Sequence, residues 1–181
     1  MEVRRALKSE VPLLSALIER SALNLCNKDY TLNEIEVALR GAWGVDAQLI
    51  EDQTYFVCVD GDRIVGCGGW SMRATLFGGD AFEGRDAKAL DPKVDNAKIR
   101  AFFVDPDYVG RDVGLSILHK CETEALKAGF KGFELMATLT GARFYRRQGY
   151  VGDIQTAVKL DEEMTIMFIP MSKTVNAPAR N

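Results

Sequence analysis

Between Asp105 and Leu118 the chain reads DPDYVGRDVGLSIL: an apolar run leads into a Gly-containing turn and then a helical pattern. The first N–H groups of a helix lack intrahelical partners and carry the positive end of its dipole. A turn that gathers them can therefore hold an anion without any basic side chain. Gly110 and Gly114 let the backbone approach such a ligand closely, and Pro106 fixes the chain as it leaves the strand. Asp112 places a carboxylate in the middle of this turn. It can repel an anion or cap the helix itself, yet Asp tolerates left-handed backbone angles better than most residues. The turn has neither the GKS/GKT of a P-loop nor the GxGxxG of a dinucleotide site. Further on stands Phe144-Tyr145-Arg146-Arg147-Gln148-Gly149-Tyr150. Tyr145 is a phenol with an ordinary pKa of about 10, neutral at pH 7. A core aromatic on a short helix is one reading of it.

Other reactive side chains are sparse. Cys26, Cys58, Cys67 and Cys121 are widely spaced with no CxxC pair, and His119 is the only histidine, so no metal site is expected. The cysteines sit in apolar surroundings and read as buried thiols. His119 lies mid-helix beside Lys120 and reads as exposed and structural, which leaves no Ser-His or Cys-His nucleophile scheme without it.

The elements that must position these groups follow from pattern. Val3–Leu7 predicts a short strand, Ser9 an N-cap, and Val11, Leu14, Leu17 and Ile18 a helix. Thr31 with Glu34 forms a capping-box pattern for a helix to Arg40, ended by Gly41 and Gly44. Tyr55–Val59 and Ile64–Trp70 are β-rich runs joined through Asp60-Gly61, a strong hairpin signal. From Ser71 to Ala97 periodicity is lost and Gly and Asp accumulate, a long connection of the functional or disordered kind. Ile99–Val104 predicts a strand broken only by Arg100, Val113–Ala128 an amphipathic helix, Phe133–Ala137 a strand and Gly141–Gln148 a short helix. Final strands fall near Gln155–Leu160 and Met164–Met171. This order predicts an α+β fold with a mixed sheet rather than a uniform βαβ repeat. A single domain over residues 1–175 with a loose tail at 176–181 is expected.

With 47% apolar and 27% charged residues the composition is that of a soluble globular protein. A net charge of −3 argues against a dedicated nucleic-acid binder. The lack of a long apolar run argues against a membrane span or signal peptide, so a cytoplasmic protein is expected.

The two motifs together resemble the GNAT superfamily of acyl-CoA-dependent N-acyltransferases. IRAFFVDPDYVGRDVGLSILHKCETEALKAGF is similar to its cofactor-binding motif, ATLTGARFYRRQGYV to the motif that follows, and the hairpin ending in GCGGW to its second and third strands. The likeness extends roughly from Met1 to Ser172. It implies a mostly antiparallel, twisted central sheet flanked by helices, with strands four and five splayed to admit the pantetheine arm of acetyl-CoA. It implies that Phe102, Phe103 and Val104 offer backbone groups to that arm. The family's turn, Q/R-x-x-G-x-G/A, binds the pyrophosphate through backbone amides. Val109, Gly110, Arg111, Asp112, Val113 and Gly114 stand in its place here, with Leu115 following; Val109 and Asp112 depart from the pattern. Tyr145 stands where the family's tyrosine often protonates the departing thiolate, and Thr138 where many members have Asn. The stretch SMRATLFGGD follows strand three, where the family commonly builds its acceptor pocket, so Trp70, Arg73 and Phe77 are the expected acceptor contacts.

The resemblance implies acetyl transfer from acetyl-CoA to a primary amine of a small molecule or protein, with Tyr145 as general acid. A non-catalytic acyl-CoA sensor, favoured by Val109 and Asp112, and an enzyme using another acyl donor are the alternatives. Glu134, Glu51 and Asp52 are acids in range of a base role, each also readable as a solvated surface acid. The apolar stretch Met164–Met171 offers an edge or face for a homodimer and equally fits an internal strand.

Overall fold

The computed structural model describes residues 1–80, 86 and 88–175. Seven strands form one sheet: β1 (Glu2–Arg5), β2 (Tyr55–Asp60), β3 (Arg63–Ser71), β4 (Ala97–Val104), β5 (Gly132–Thr138), β6 (Thr156–Lys159) and β7 (Thr165–Thr174). Their order is β1-β2-β3-β4-β5-β7-β6. All neighbours are antiparallel except β4 and β5, which run parallel. The mixed sheet expected from the motifs is therefore the observed one. The stretch Met164–Met171 is not an edge, because β7 pairs with β5 on one side and β6 on the other; the edges are β1 and β6.

Among the described residues five α-helices cover the sheet: α1 (Val11–Leu25), α2 (Leu32–Arg40), α3 (Ala47–Glu51), α4 (Val113–Lys127) and α5 (Ala142–Arg147). One face packs Phe56, Ile99, Phe133 and Leu135 against Ile117, Leu118 and Cys121 of α4 and Tyr145 of α5. The other packs Val57, Cys67, Ile166 and Phe168 against α1, α2 and the residues around α3.

Local chemistry accounts for most boundaries. Thr31 accepts from the Glu34 N–H while the Glu34 carboxylate accepts from the Thr31 N–H, the reciprocal cap that starts α2. Gly61 takes φ +58° in the tight turn between β2 and β3, a conformation that costs glycine little. Ser9 is not the cap of α1. Residues 8–10 form a 3-10 turn, and the Glu10 carboxylate accepts from the Leu7 N–H while paired with Arg4. The described ends of the connection after β3 meet, with Arg73 bridging Ala89 and Leu90 N–H donating to the Met72 carbonyl at 2.8 Å. The tail expected at 176–181 lies outside the described residues. All four cysteines are buried and free, and no described helix is long and apolar enough to cross a membrane.

Candidate functional site

Parallel pairing between β4 and β5 is confined to Ala97 opposite Phe133 and Lys98 opposite Glu134. Beyond these pairs the strands part, and a cavity of about 620 Å³ opens between Ile99–Val104 and Leu135–Thr138. That size suits a small molecule or cofactor arm. Its walls come from both faces of the sheet: Ser21 and Leu25 of α1, Cys26 just after it and Trp43 on one side, Val113, Gly114 and Tyr145 on the other. It is a passage through the sheet rather than a surface dent.

A bulge shapes the β4 wall. Cys67 pairs with Phe103 and Gly69 with Arg100, so Ala101 and Phe102 together face Gly68. Ala101 takes φ +55°, in the left-handed region. Two neighbours hold it there. A Cβ on Gly68 would lie 2.6 Å from the Phe102 ring, so only glycine leaves that ring its place. The buried Tyr55 hydroxyl donates to the Ala101 carbonyl at 3.2 Å.

At the end of β4 the chain is anchored by charge. The buried Asp105 carboxylate pairs with Arg63 at 2.6 Å and Arg20 at 3.3 Å, and accepts from the Asp107 N–H. The turn then runs over Tyr108, whose ring lies beneath the Arg111 guanidinium at 5.0 Å. Gly110 has φ +79° and Asp112 φ +59°, which bends the backbone into α4. Asp112 occupies the N-cap position but makes no side-chain cap bond, and it is exposed. Its carbonyl accepts from the Ser116 N–H. The amides of Val113, Gly114 and Leu115 precede that bond at the open end of the helix, beside the cavity. The left-handed tolerance of Asp is used here and its capping ability is not.

Tyr145 lines the cavity, its ring 6.3 Å from Phe102, 5.1 Å from Phe144 and 5.6 Å from Tyr150, all edge-on. Burial pushes its phenol well above the ordinary tyrosine value, so it is neutral at any physiological pH. Thr138 also lines the cavity, and its hydroxyl oxygen accepts from the Gly141 N–H at 2.9 Å, fixing the entry to α5. Phe102, Phe103, Val104, Val109, Gly110, Asp112, Val113, Gly114 and Leu115 all contribute to the wall. Arg111 does not; it stacks on Tyr108.

Of the three expected acceptor contacts, Trp70 and Arg73 lie away from this cavity. Trp70 lies in the other core cluster, edge-on to Phe130 at 6.0 Å, because the end of β3 turns it to the α4 face. Arg73 grips both oxygens of Asp52 at 2.7 and 2.8 Å in a separate hollow beside α3. Phe77 does line the cavity, against Phe168 at 5.7 Å. The acids weighed as bases are elsewhere: Glu134 pairs with Lys98, Asp52 with Arg73, and Glu51 borders the second hollow.

Several wall residues had not been singled out. Trp43 follows α2 in a Gly-flanked turn. Arg143 and Arg147, one turn apart on α5, are exposed at the cavity. Arg100, which breaks the apolar run Ile99–Val104, is buried, pairing with the buried Asp46 at 2.5 Å and donating to the Gly78 carbonyl at 2.7 Å. Asp46 caps α3 and Gly78 belongs to the connection after β3, so this ion pair ties two segments of the wall to β4. Gly79 N–H donates to the Ala42 carbonyl, and a Cβ on Gly79 would lie 2.9 Å from Gly44 Cα.

A family model described as an acetyltransferase (GNAT) domain matches residues 51–152. No curated protein sequence matches the chain significantly. Among solved structures, a GCN5-related N-acetyltransferase (aminotransferase, class II) from Rhodopseudomonas palustris is 20% identical over 96% of this chain and 95% of its own, with TM-score 0.70. The PaiA N-acetyltransferase of Thermoplasma acidophilum, in complex with coenzyme A, is 14% identical over 96% and 98%, with TM-score 0.65. YncA from Salmonella typhimurium, with its cofactor acetyl-CoA, is 14% identical over 100% and 97%, with TM-score 0.62.

The buried pair yields a stability test. Arg100→Met removes the Arg100 cation from beside the buried Asp46 carboxylate and is expected to cost about 3–5 kcal/mol in urea unfolding. Adding Asp46→Leu should recover the larger part. If Arg100→Met unfolds at the parent urea concentration, the pair does not hold these walls.

Proposed function

The chain belongs to the GNAT acetyltransferase family, and from that membership we propose that it moves the acetyl group of acetyl-CoA to a primary amine by direct transfer. The observation that carries this reading is the passage between β4 and β5, with a helix N-terminus and Tyr145 on one face and an apolar chamber on the other. The residues present fit the cofactor. Amides of Val113, Gly114 and Leu115 and the open turn at Gly110 suit a pyrophosphate, and the bulged β4 edge suits an extended amide-bearing arm. Arg143 and Arg147 supply cationic charge on the rim, where Val109 supplies none.

Acetyl-CoA, when bound, supplies the thioester. Its carbonyl carbon would take the attack of the amine nitrogen, with the thiol as leaving group gaining a proton as the amine gives up its own. Tyr145, on the cavity wall, would donate at that sulfur and recover a proton through water. Its phenol is a weaker acid than a thiol, so its work is to stabilise charge as it develops on sulfur in a dry site, with full transfer completing late.

The sensor alternative rests on Val109 and Asp112, and turnover decides between the two. Tyr145→Phe should lower kcat for thiol release about 100-fold or more while the calorimetric Kd for acetyl-CoA stays within about twofold. Equal turnover would remove Tyr145 from the mechanism. Asp112→Gly removes an exposed carboxylate from the anion site and puts glycine at a left-handed angle. Coenzyme A should then bind about fivefold tighter, the scale of one charge contact near solvent. Unchanged or weaker binding would mean that Asp112 does not face the phosphates.

A further inference from the structure

An amine that attacks a thioester must shed a proton, and the wall of the cavity itself has few groups to take it. Among the described lining residues the one carboxylate is Asp112, which belongs to the turn before α4. Burial raises the Cys26 thiol to about 11, so it stays protonated. One hydrogen bond back from the wall there is a second carboxylate: the Thr140 hydroxyl donates to Asp29 Oδ2 at 2.7 Å. Cys26, just after α1, and Thr140, between β5 and α5, both line the cavity. The Thr140 hydroxyl also bonds with the Cys26 thiol, so it sits where these two wall segments meet. Asp29 is exposed and Thr140 half-buried, so a single hydrogen bond leads from the wall to a carboxylate in contact with water. A hydroxyl has one proton and two lone pairs. With its proton committed to Asp29, Thr140 Oγ1 is left with acceptor capacity alone, which suits an N–H donor. The titratable groups that feel the Asp29 charge are Cys26 and Tyr30; burial pushes both up, so neither changes charge near neutral pH.

Resting on the N-acetyltransferase reading, we infer that Thr140 and Asp29 receive the acceptor amine and carry its proton away. An ammonium has two protons to lose on becoming an amide. One is taken up by the leaving thiol. The other passes from nitrogen to Thr140 Oγ1 as the Thr140 proton passes to Asp29 Oδ2, and the exposed Asp29 returns it to water. The relay leaves both side chains as they began. A carboxylate is a weaker base than an amine in water, so the step runs uphill. Two effects narrow the gap: the apolar walls at Leu25, Phe77 and Phe168 disfavour the ammonium, and nitrogen grows more acidic as its bond to carbon forms.

The experiment follows thiol release by the full chain with acetyl-CoA and the fastest of four primary amines: phenethylamine, spermidine, Nα-acetyl-lysine amide and phenylalanine amide. kcat/KM is measured across the two pH units below that amine's own pKa. The parent should change less than about threefold, because it takes the ammonium and removes the proton itself. Asp29→Asn keeps an acceptor for the Thr140 hydroxyl but cannot take up a proton. Its profile should climb about 100-fold, tracking the free amine, which rises about tenfold per pH unit in that range. Thr140→Val should climb in the same way, and Thr140→Ser should restore the level profile. A merely structural lesion lowers a profile without tilting it. An Asp29→Asn or Thr140→Val profile parallel to the parent's therefore overturns the inference and leaves the transferase reading standing, as does a parent profile that itself tracks the free amine. Calorimetric titration of the same amines into the chain saturated with coenzyme A reads the pair without turnover. Binding that Asp29→Asn weakens about fivefold or more, with no thiol release from any amine, sinks the transferase reading and keeps Thr140 and Asp29 as the amine's site. Neither thiol release nor such binding removes both.

Discussion

The hydrogen bonds that β4 and β5 do not make govern the rest of the molecule. Two parallel strands in register would pair along their length, since an unpaired buried amide or carbonyl is costly. Here the ladder ends at Lys98 and Glu134. The facing groups beyond it border a cavity instead of each other, and this is the edge that an extended ligand can complete. The bulge at Ala101 turns the strand's open side at the point where the gap begins, while Gly68 and Tyr55 hold a conformation the alanine would not adopt alone. Both motifs flank the gap: β4 runs into the turn before α4, and β5 runs into α5.

The two sides of the passage are built by different means. The α4 side rests on backbone: a Gly-containing turn, a left-handed Asp112 and a helix end, pinned by Asp105 between two arginines. The α1 side rests on side chains. The Arg100–Asp46 pair and the contact between Gly44 and Gly79 draw two loops together, and aromatic rings line the space between them. A buried ion pair contributes little net stability against an apolar substitute, but it demands one arrangement of the segments it joins. That directional demand suits loops with few other constraints.

Much of this was legible in the chain because its signals are local. The Asp60-Gly61 hairpin, the Thr31–Glu34 cap and the turn at Gly110 each lie within a few residues, and each element formed where the pattern placed it. The acceptor side was not legible, for two reasons. Strand alternation tells that successive side chains alternate, without telling which face will be the chamber, so Trp70 was expected there and Trp43 was not. Partners distant in sequence leave no local mark: Asp52 with Arg73 and Asp46 with Arg100 meet only once the sheet is assembled. Arg100, the charge that interrupts the apolar run Ile99–Val104, was the one local trace of that network. The insertion of β7 between β5 and β6 is likewise a property of the assembled sheet.

The burial of every sulfhydryl gives the protein an internal clock. Cys26, Cys58, Cys67 and Cys121 are all enclosed, and burial raises each thiol above its ordinary range, so little thiolate is available to an electrophile in the native state. A dye that counts sulfhydryls therefore meets a nearly silent background while the chain stays folded. Four further equivalents appear only as it opens, and the spread of their arrival times separates fraying near α1 from loss of the central layers.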